Sequence, residues 1–168
     1  MAKADLTAQR LRERLDYDRE TGHLTWKLSL SNRARVGSFA GCVDKKQGGR
    51  VLVRVDDCLY LAHRLAWLHV TGNWPDGEID HINGNPSDNR FCNLRDVATF
   101  VNAQNKKRVR VDSQTGLMGV SHDKRRGTWS SRIKVHEKKV WLGRFESPED
   151  AHAAYLAAKR RLHEGCTI

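Results

Sequence analysis

The stretch IDHINGNPSDNRFCNLRDVATFVNAQN, residues 79–105, contains the most informative pattern in this chain. One Asp-His pair is followed there by six asparagines within 24 residues. Asparagine often fills turns, because its short side chain hydrogen-bonds to nearby backbone. The same amide can also be a neutral metal ligand, or it can hold a catalytic imidazole in one orientation. The rest of the chain helps to decide between these roles.

The local pattern of this stretch predicts two short strands followed by a helix. Residues 78–82 can form a strand, and Asn83-Gly84 is a strong signal for a tight turn. Residues 93–97 can form a second strand, after which Thr99 can cap a helix. The side chains that this arrangement would bring together are Asp80, His81, Asn93 and Asn102.

These four side chains suit the hydrolysis of a phosphodiester bond. An imidazole with an ordinary pKa of about 6.5 can accept the proton of an attacking water at neutral pH, which fits His81. Asp80 can supply an anionic oxygen and Asn102 a neutral amide oxygen to a hard divalent ion beside the leaving oxygen. Asn93 is available as the carbonyl acceptor that fixes the tautomer of the imidazole.

Other polar residues of the stretch are expected to order its loop. Asn85 and Asn89 are expected to hydrogen-bond nearby backbone. Asp88 and Arg90 are expected to form a local pair. Arg90 or Arg95 could instead steady the backbone of a substrate.

The segments before this stretch are predicted to be short helices and strands. Residues 4–15 are typical of a helix, and residues 50–61 alternate as a hairpin with Asp56-Asp57 at its tip. Residues 61–72 place apolar side chains on one helical stripe. His63 lies on that helix, where a hydrogen-bonded packing role is expected.

The net charge of +10 is concentrated in the C-terminal part of the chain. Residues 1–102 contain 15 Lys and Arg against 13 Asp and Glu, whereas residues 103–168 contain 15 against 7. This excess indicates a polyanionic partner, most simply nucleic acid, although a solubilising charge would look the same. The sequence has no signal peptide and no apolar run near 18 residues, so we expect a cytoplasmic protein without membrane contact and with reduced cysteines.

The C-terminal segment predicts a three-stranded antiparallel sheet packed on one helix. The strands are predicted at residues 116–122, 128–135 and 139–145, and Ser147 is the expected N-cap of the helix. Strand alternation divides the sheet into two faces. The face away from the helix is predicted to carry Thr128, Ser130, Arg132, Lys134, Lys139 and Trp141. Such a face can enter the major groove of a duplex, although Lys and Arg also protect the edges of ordinary sheets.

This segment resembles the apetala-type, ethylene-response-factor-like DNA-binding domain. The matching residues are GVSHDKRRGTWSSRIKV, KVWLGRF and SPEDAHAAYLAAKRRLHEG. The resemblance implies contacts from the sheet face to the major groove. By position it assigns DNA contacts to Ser121, Lys124, Arg125, Arg132, Lys134, Lys139 and Trp141. Ser121 and Asp123 stand where the plant pattern usually has arginines, so base preferences do not carry over.

The string GEIDHINGNPSDNRFCNLRDVATFVNAQN, residues 77–105, resembles the HNH nuclease motif of phage homing endonucleases, the beta-beta-alpha-metal type. The resemblance implies that His81 is the general base and that Asn93 orients it. It also implies that Asp80 and Asn102 bind a single divalent metal, with Asn102 in a motif position that is otherwise a histidine. Zinc-stapled relatives carry Cys-x-x-Cys pairs, and because this sequence has none, no structural zinc is expected.

The sequence therefore predicts an α+β chain of three parts: an HNH nuclease domain at 1–105, a basic linker at 106–115 and an apetala-type DNA-binding domain at 116–168. The linker either lies along phosphates or is a disordered tether. The expected activity is that of a homing-type endonuclease that cuts or nicks double-stranded DNA at a specific site. It would use Mg²⁺ or Mn²⁺ and act as a monomer in a bacterial host, encoded by a phage. The alternatives are a sequence-specific DNA-binding regulator with a degenerate nuclease motif and a non-specific toxin or defence nuclease.

Overall fold

The structure, a computed structural model, describes residues 6–29, 31, 34–46, 48–104, 109, 113, 115–136, 138–164 and 166. The chain divides into two compact units, Met1–Thr99 and Phe100–Ile168. Helices and short antiparallel strands occur in both, which confirms the α+β class. Most of the predicted basic linker, 106–115, lies outside the described residues.

Besides a 3-10 turn at Phe91–Asn93, the first unit contains two α-helices and seven short strands in its described segments. In chain order these are α1 (Ala8–Arg14), β1 (Leu15–Tyr17), β2 (Leu24–Trp26), β3 (Cys42–Asp44), β4 (Arg50–Val55), β5 (Cys58–Leu61), α2 (Ala62–Thr71), β6 (Glu78–His81) and β7 (Leu94–Val97). The strands pair antiparallel as β1–β2, β3–β4–β5 and β6–β7. The two strands predicted around the Asp-His pair are therefore confirmed.

The second unit contains the predicted sheet and its helix. After α3 (Thr99–Gln104), which begins at the boundary of the units, come β8 (Val120–Asp123), β9 (Thr128–Val135), β10 (Lys138–Phe145) and α4 (Pro148–Leu162). The sheet order is β10–β9–β8, with all pairs antiparallel. Ser147 is the N-cap of α4, as predicted, because its hydroxyl accepts the N–H of Asp150 at 3.1 Å. None of the helices in the described segments is both long and apolar enough to cross a membrane.

The core of the first unit lies where α1, α2 and β4 meet. Leu11, Val53 and Leu65 are fully buried there. The predicted hairpin tip is confirmed, since Asp56 and Asp57 both have positive φ angles, as the tight turns of two-residue hairpins require. These packed elements form the support on which β6 and β7 lie.

A side chain fixes the point at which the chain enters β6. The carboxylate of Asp96 in β7 accepts the N–H groups of Asp76 and Gly77 at 2.8 and 2.9 Å. A Cβ added to Gly77 would collide with the carbonyl of Val97, so only glycine fits this approach. The register of β6 against β7 is thereby set before the chain reaches Asp80.

The second unit packs α4 against one face of its sheet. Ser131 and Ile133 of β9 and Ala151 and Ala158 of α4 are buried between them. Gly119 precedes β8 with a φ of +75°, and a Cβ there would collide with the ring of Tyr155. The turn into the sheet therefore needs glycine for both its backbone angle and its space.

We expect Gly119→Ala to destabilise the second unit by about 2–4 kcal/mol, because steric collision adds to backbone strain. Gly127→Ala is the matched control. Its φ is +64° but no atom lies within 4 Å of the added Cβ, so it should cost only about 1 kcal/mol of strain. Thermal unfolding and amide hydrogen exchange in β8–β10 measure both effects. Equal losses in the two variants would contradict the packing argument.

Candidate functional site

Strand β6 carries Asp80 and His81 into the interior of the first unit. The two residues are 7% and 8% exposed. The antiparallel register places Arg95 of β7 opposite Asp80 and Leu94 opposite His81. A carboxyl group and an imidazole thus occupy consecutive positions of a strand, and the partner strand supplies a cation to the carboxyl group.

The carboxylate of Asp80 pairs with Arg95. The Nε and Nη2 atoms of Arg95 donate to Oδ2 of Asp80 at 2.9 and 2.7 Å. A buried carboxylate needs such a charged partner to remain ionised. Both of these bonds end on Oδ2, and neither involves Oδ1.

The ring of His81 is bonded to Asn89. Its Nε2 lies 3.3 Å from Oδ1 of Asn89, a residue that is only 4% exposed. An amide oxygen can only accept, so Nε2 must carry the hydrogen of the neutral ring. The lone pair that can take up a proton is therefore on Nδ1.

A second imidazole packs against the first. His63 of α2 meets His81 edge-on, with the ring centroids 5.0 Å apart and the ring planes at 89°. Burial lowers the pKa of His81 below its ordinary value, and burial together with the nearby charges of His81 and Arg50 lowers the pKa of His63 to about 3. Both rings are therefore neutral near pH 7. His63 packs as predicted, but its buried Nδ1 has no hydrogen-bond partner among the described residues.

The first hairpin, β1–β2, holds Asn89 in place. The hydroxyl of Tyr17 donates to the backbone carbonyl of Asn89 at 2.8 Å. Gly22, with a φ of +74°, packs so closely that an added Cβ would lie 2.6 Å from the carbonyl carbon of Asn89 and would collide with the nitrogen of Arg90. The hairpin therefore positions Asn89, and Asn89 in turn positions the ring of His81.

Asn93 hydrogen-bonds to the loop between β6 and β7. Its Oδ1 accepts the N–H of Asn83 at 2.9 Å, and its Nδ2 donates to the carbonyl of Asp88 at 2.8 Å. The sequence predicts that Asn93 orients His81. In the structure these loop bonds occupy both ends of the Asn93 amide, and the side chain described as bonded to the imidazole is Asn89.

Two other expectations for this loop are confirmed. Asn85 accepts the N–H of Ser87 at 3.1 Å, which is the expected bond from a side chain to backbone. Asp88 and Arg90 form the expected pair, with N–O distances of 2.8 and 2.6 Å. Arg90 holds the pKa of Asp88 at about 2, so this pair stays ionised at neutral pH.

The metal ligands expected from the sequence are distributed over both units. Asn102 lies in α3 and is half-buried, within the second unit. In the part of the chain that the structure describes, no group of three or more His, Cys, Asp or Glu side chains could hold a metal ion. The expected set of one carboxylate and one amide is of a different kind. Its donors are hard oxygens, which suit Mg²⁺ or Mn²⁺ better than softer metals.

The sheet of the second unit presents a basic face. All seven residues assigned to DNA contact are exposed. These residues are Ser121, Lys124, Arg125, Arg132, Lys134, Lys139 and Trp141. The guanidinium of Arg132 lies 5.1 Å from the centre of the Trp141 ring on the neighbouring strand. Lys134 and Lys139 are direct cross-strand partners, and like charges so placed destabilise a free sheet.

Strict alternation was wrong at two positions of this sheet. Ser130 is buried, although it was predicted on the exposed face, and Val140 is 38% exposed, although it was predicted on the inner face. The sequence analysis also missed Arg144. A bulge between Trp141 and Gly143 shifts the register and brings the Arg144 guanidinium to 5.9 Å from the Trp141 ring. The glycine inside a strand pattern was the signal for this bulge.

A family profile described as HNH endonuclease matches residues 60–103. No curated protein and no solved structure matches the chain. The matched range runs from β5 through α3 and includes all four residues predicted to carry the chemistry: Asp80, His81, Asn93 and Asn102. An HNH endonuclease domain is therefore present at residues 60–103, and it implies a DNA substrate. The match ends before β8, so the apetala-type resemblance of the second unit stays a prediction.

We expect His63→Gln to make folding less sensitive to acid. The pKa of His63 is about 3 in the folded state and about 6.5 when unfolded, so the unfolded chain binds the extra proton between these values. The stability that the neutral ring contributes at pH 7 is then lost as the pH falls from 6.5 towards 3. Urea titrations at pH 7 and pH 5 give the free energy of unfolding. From pH 7 to pH 5 this free energy should fall by about 1–2 kcal/mol more in the wild type than in the variant. Equal losses would contradict a neutral, buried ring.

Proposed function

We propose that the protein is a metal-dependent endonuclease that cuts or nicks double-stranded DNA at preferred sites. The single observation that carries this proposal is the buried, neutral imidazole of His81 with its lone pair on Nδ1, next in sequence to a carboxylate paired with Arg95, inside an HNH endonuclease domain. Burying an imidazole and a carboxylate at consecutive positions is unfavourable unless each finds a partner, and Asn89 and Arg95 are those partners.

The proposed base is His81. Nδ1 takes a proton from the water that attacks phosphorus, while the bond from Nε2 to Asn89 keeps the ring in the required tautomer. Burial keeps the ring unprotonated at neutral pH, so it is ready to accept this proton. Asn93 supports the same step from outside, because it orders the loop that carries Asn89.

The proposed metal ligands are Asp80 and Asn102. A divalent ion such as Mg²⁺ or Mn²⁺ supplies positive charge beside the leaving oxygen when it is bound. Arg95 fixes the carboxylate of Asp80 through its two bonds to Oδ2, a role typical of residues that orient metal ligands.

The second unit is proposed to select the site. Its exposed Arg132, Lys134 and Lys139 can contact base edges or phosphates in the major groove, and Trp141 stacks under the arginines. A phosphate can lie between the ammonium groups of the cross-strand pair Lys134 and Lys139 and contact both. This face therefore favours a polyanion over a neutral partner.

We expect His81→Ala to lower metal-dependent DNA cleavage at least 100-fold, the size of effect usual for a lost general base. The rate of cleavage is measured by the nicking of supercoiled plasmids that carry bacterial or phage DNA, in the presence of Mg²⁺ or Mn²⁺. Adding a chelator should abolish cutting by the wild type. His23→Ala, which removes an exposed histidine of the same unit, is the control and should keep wild-type activity.

Two outcomes would reject this assignment. Wild-type cleavage by the His81→Ala protein would show that His81 is not the base. A wild type that binds DNA but never cuts it, with either metal, would favour a DNA-binding regulator with a degenerate nuclease motif.

We expect Arg132→Ala to weaken duplex binding about tenfold, because the side chain would contact a base edge or a phosphate. Arg161→Ala is the matched control, since it removes the same charge from an exposed position on α4 and should change affinity less than about twofold. Fluorescence anisotropy with labelled duplexes at several salt concentrations measures both. Equal weakening in the two variants would indicate general charge attraction rather than a reading face.

A further inference from the structure

We propose that Arg50 binds the phosphate that is cut and stabilises the negative charge that grows on it during the reaction. This inference rests on the proposed nuclease function and adds a residue that neither motif resemblance assigns. Arg50 is exposed and is the first residue of β4.

The backbone next to Arg50 is tied to the loop that positions the base. The hydroxyl of Ser87 donates to the carbonyl of Gly49 at 2.5 Å. Ser87 lies two residues before Asn89, which bonds the ring of His81. Burial is the main cause that lowers the pKa values of His63 and His81, and the charge of Arg50 adds to both shifts.

The side chain of Arg50 differs from those of Arg90 and Arg95 because it has no partner among the described residues. Arg90 bonds the carboxylate of Asp88, and Arg95 bonds that of Asp80. The two arginines first considered for the substrate backbone are thus already neutralised by carboxylates. The backbone of Arg50 pairs with Asp44 of β3, but its side chain makes no hydrogen bond or ion pair with any residue that the structure describes.

A guanidinium in this position suits a phosphodiester anion. Its planar fork can donate two hydrogen bonds to two phosphate oxygens at once. When water attacks, negative charge on those oxygens increases, so the fixed cation binds the transition state more strongly than the ground state. No internal ion pair has to be broken for Arg50 to do this, because it has none among the described residues.

The test compares Arg50→Gln with Arg54→Gln in the full-length protein. Arg54 is exposed on the same strand and bonds only the carbonyl of Asp57 among the described residues, so both variants lose one surface charge. We expect Arg50→Gln to lower the kcat for plasmid nicking about 100-fold. A loss of this size is usual when one hydrogen-bond donor to a developing negative charge is removed. The Kd of this variant for duplex DNA, measured with a chelator present, should differ from that of the wild type by less than about threefold. Arg50→Lys should retain an intermediate rate, and Arg54→Gln should stay within about twofold of wild type.

Each remaining outcome overturns the proposal. If Arg50→Gln nicks DNA at the wild-type rate while His81→Ala is inactive, the role of Arg50 is wrong and the nuclease function stands. If Arg50→Gln weakens the Kd for DNA instead of lowering kcat, then Arg50 only attracts DNA. The same conclusion follows if Arg54→Gln lowers kcat equally. If the wild type does not cut, the nuclease function and the role of Arg50 both fail. Circular dichroism checks that the variants are folded.

Discussion

The hydrogen bond between His81 and Asn89 is the contact on which the site depends. A buried imidazole serves as a base only when one nitrogen keeps its hydrogen and the other presents a lone pair, and the amide oxygen of Asn89 enforces that state. Asn89 does not hold itself in place. Tyr17 bonds its carbonyl and Gly22 packs against its backbone, so a hairpin some 70 residues earlier in the chain holds the residue that orients the proposed base.

The asparagines of the opening stretch therefore do different work although they look alike in sequence. Asn85 and Asn93 hydrogen-bond backbone groups of the loop between β6 and β7, which would otherwise be free to adopt many conformations. Asn89 is the one whose described bond is to the imidazole. Asn102 belongs to the second unit, and Asn105 lies outside the described residues. Two of the roles that asparagine can have, turn residue and support for an imidazole, therefore occur in one loop.

What the sequence could predict follows from the range of each interaction. The hairpin with its tip at Asp56-Asp57, the pair of Asp88 with Arg90 and the cap at Ser147 are local, so residue type and spacing were sufficient. The role of Asn89 depends on residues far away in the chain, and no spacing within the loop distinguishes it from Asn93. Arg144 was missed for another reason, because one bulge at Gly143 reverses the alternation on which the face assignment rested.

The distribution of charge bears on why cleavage would be restricted to preferred sites. Residues 1–102 have almost balanced charge, and near the base Arg90 and Arg95 are neutralised by carboxylates. We expect the part that carries the proposed base to bind duplex DNA weakly by itself, since non-specific affinity comes from unpaired cations that displace counterions. The C-terminal part carries most of the positive charge and, on this proposal, keeps the catalytic part at a high local concentration near the DNA that it holds. A strongly basic catalytic domain would not need such help and would cut any duplex, so the near-neutral charge of this one favours a site-directed nuclease over a non-specific toxin.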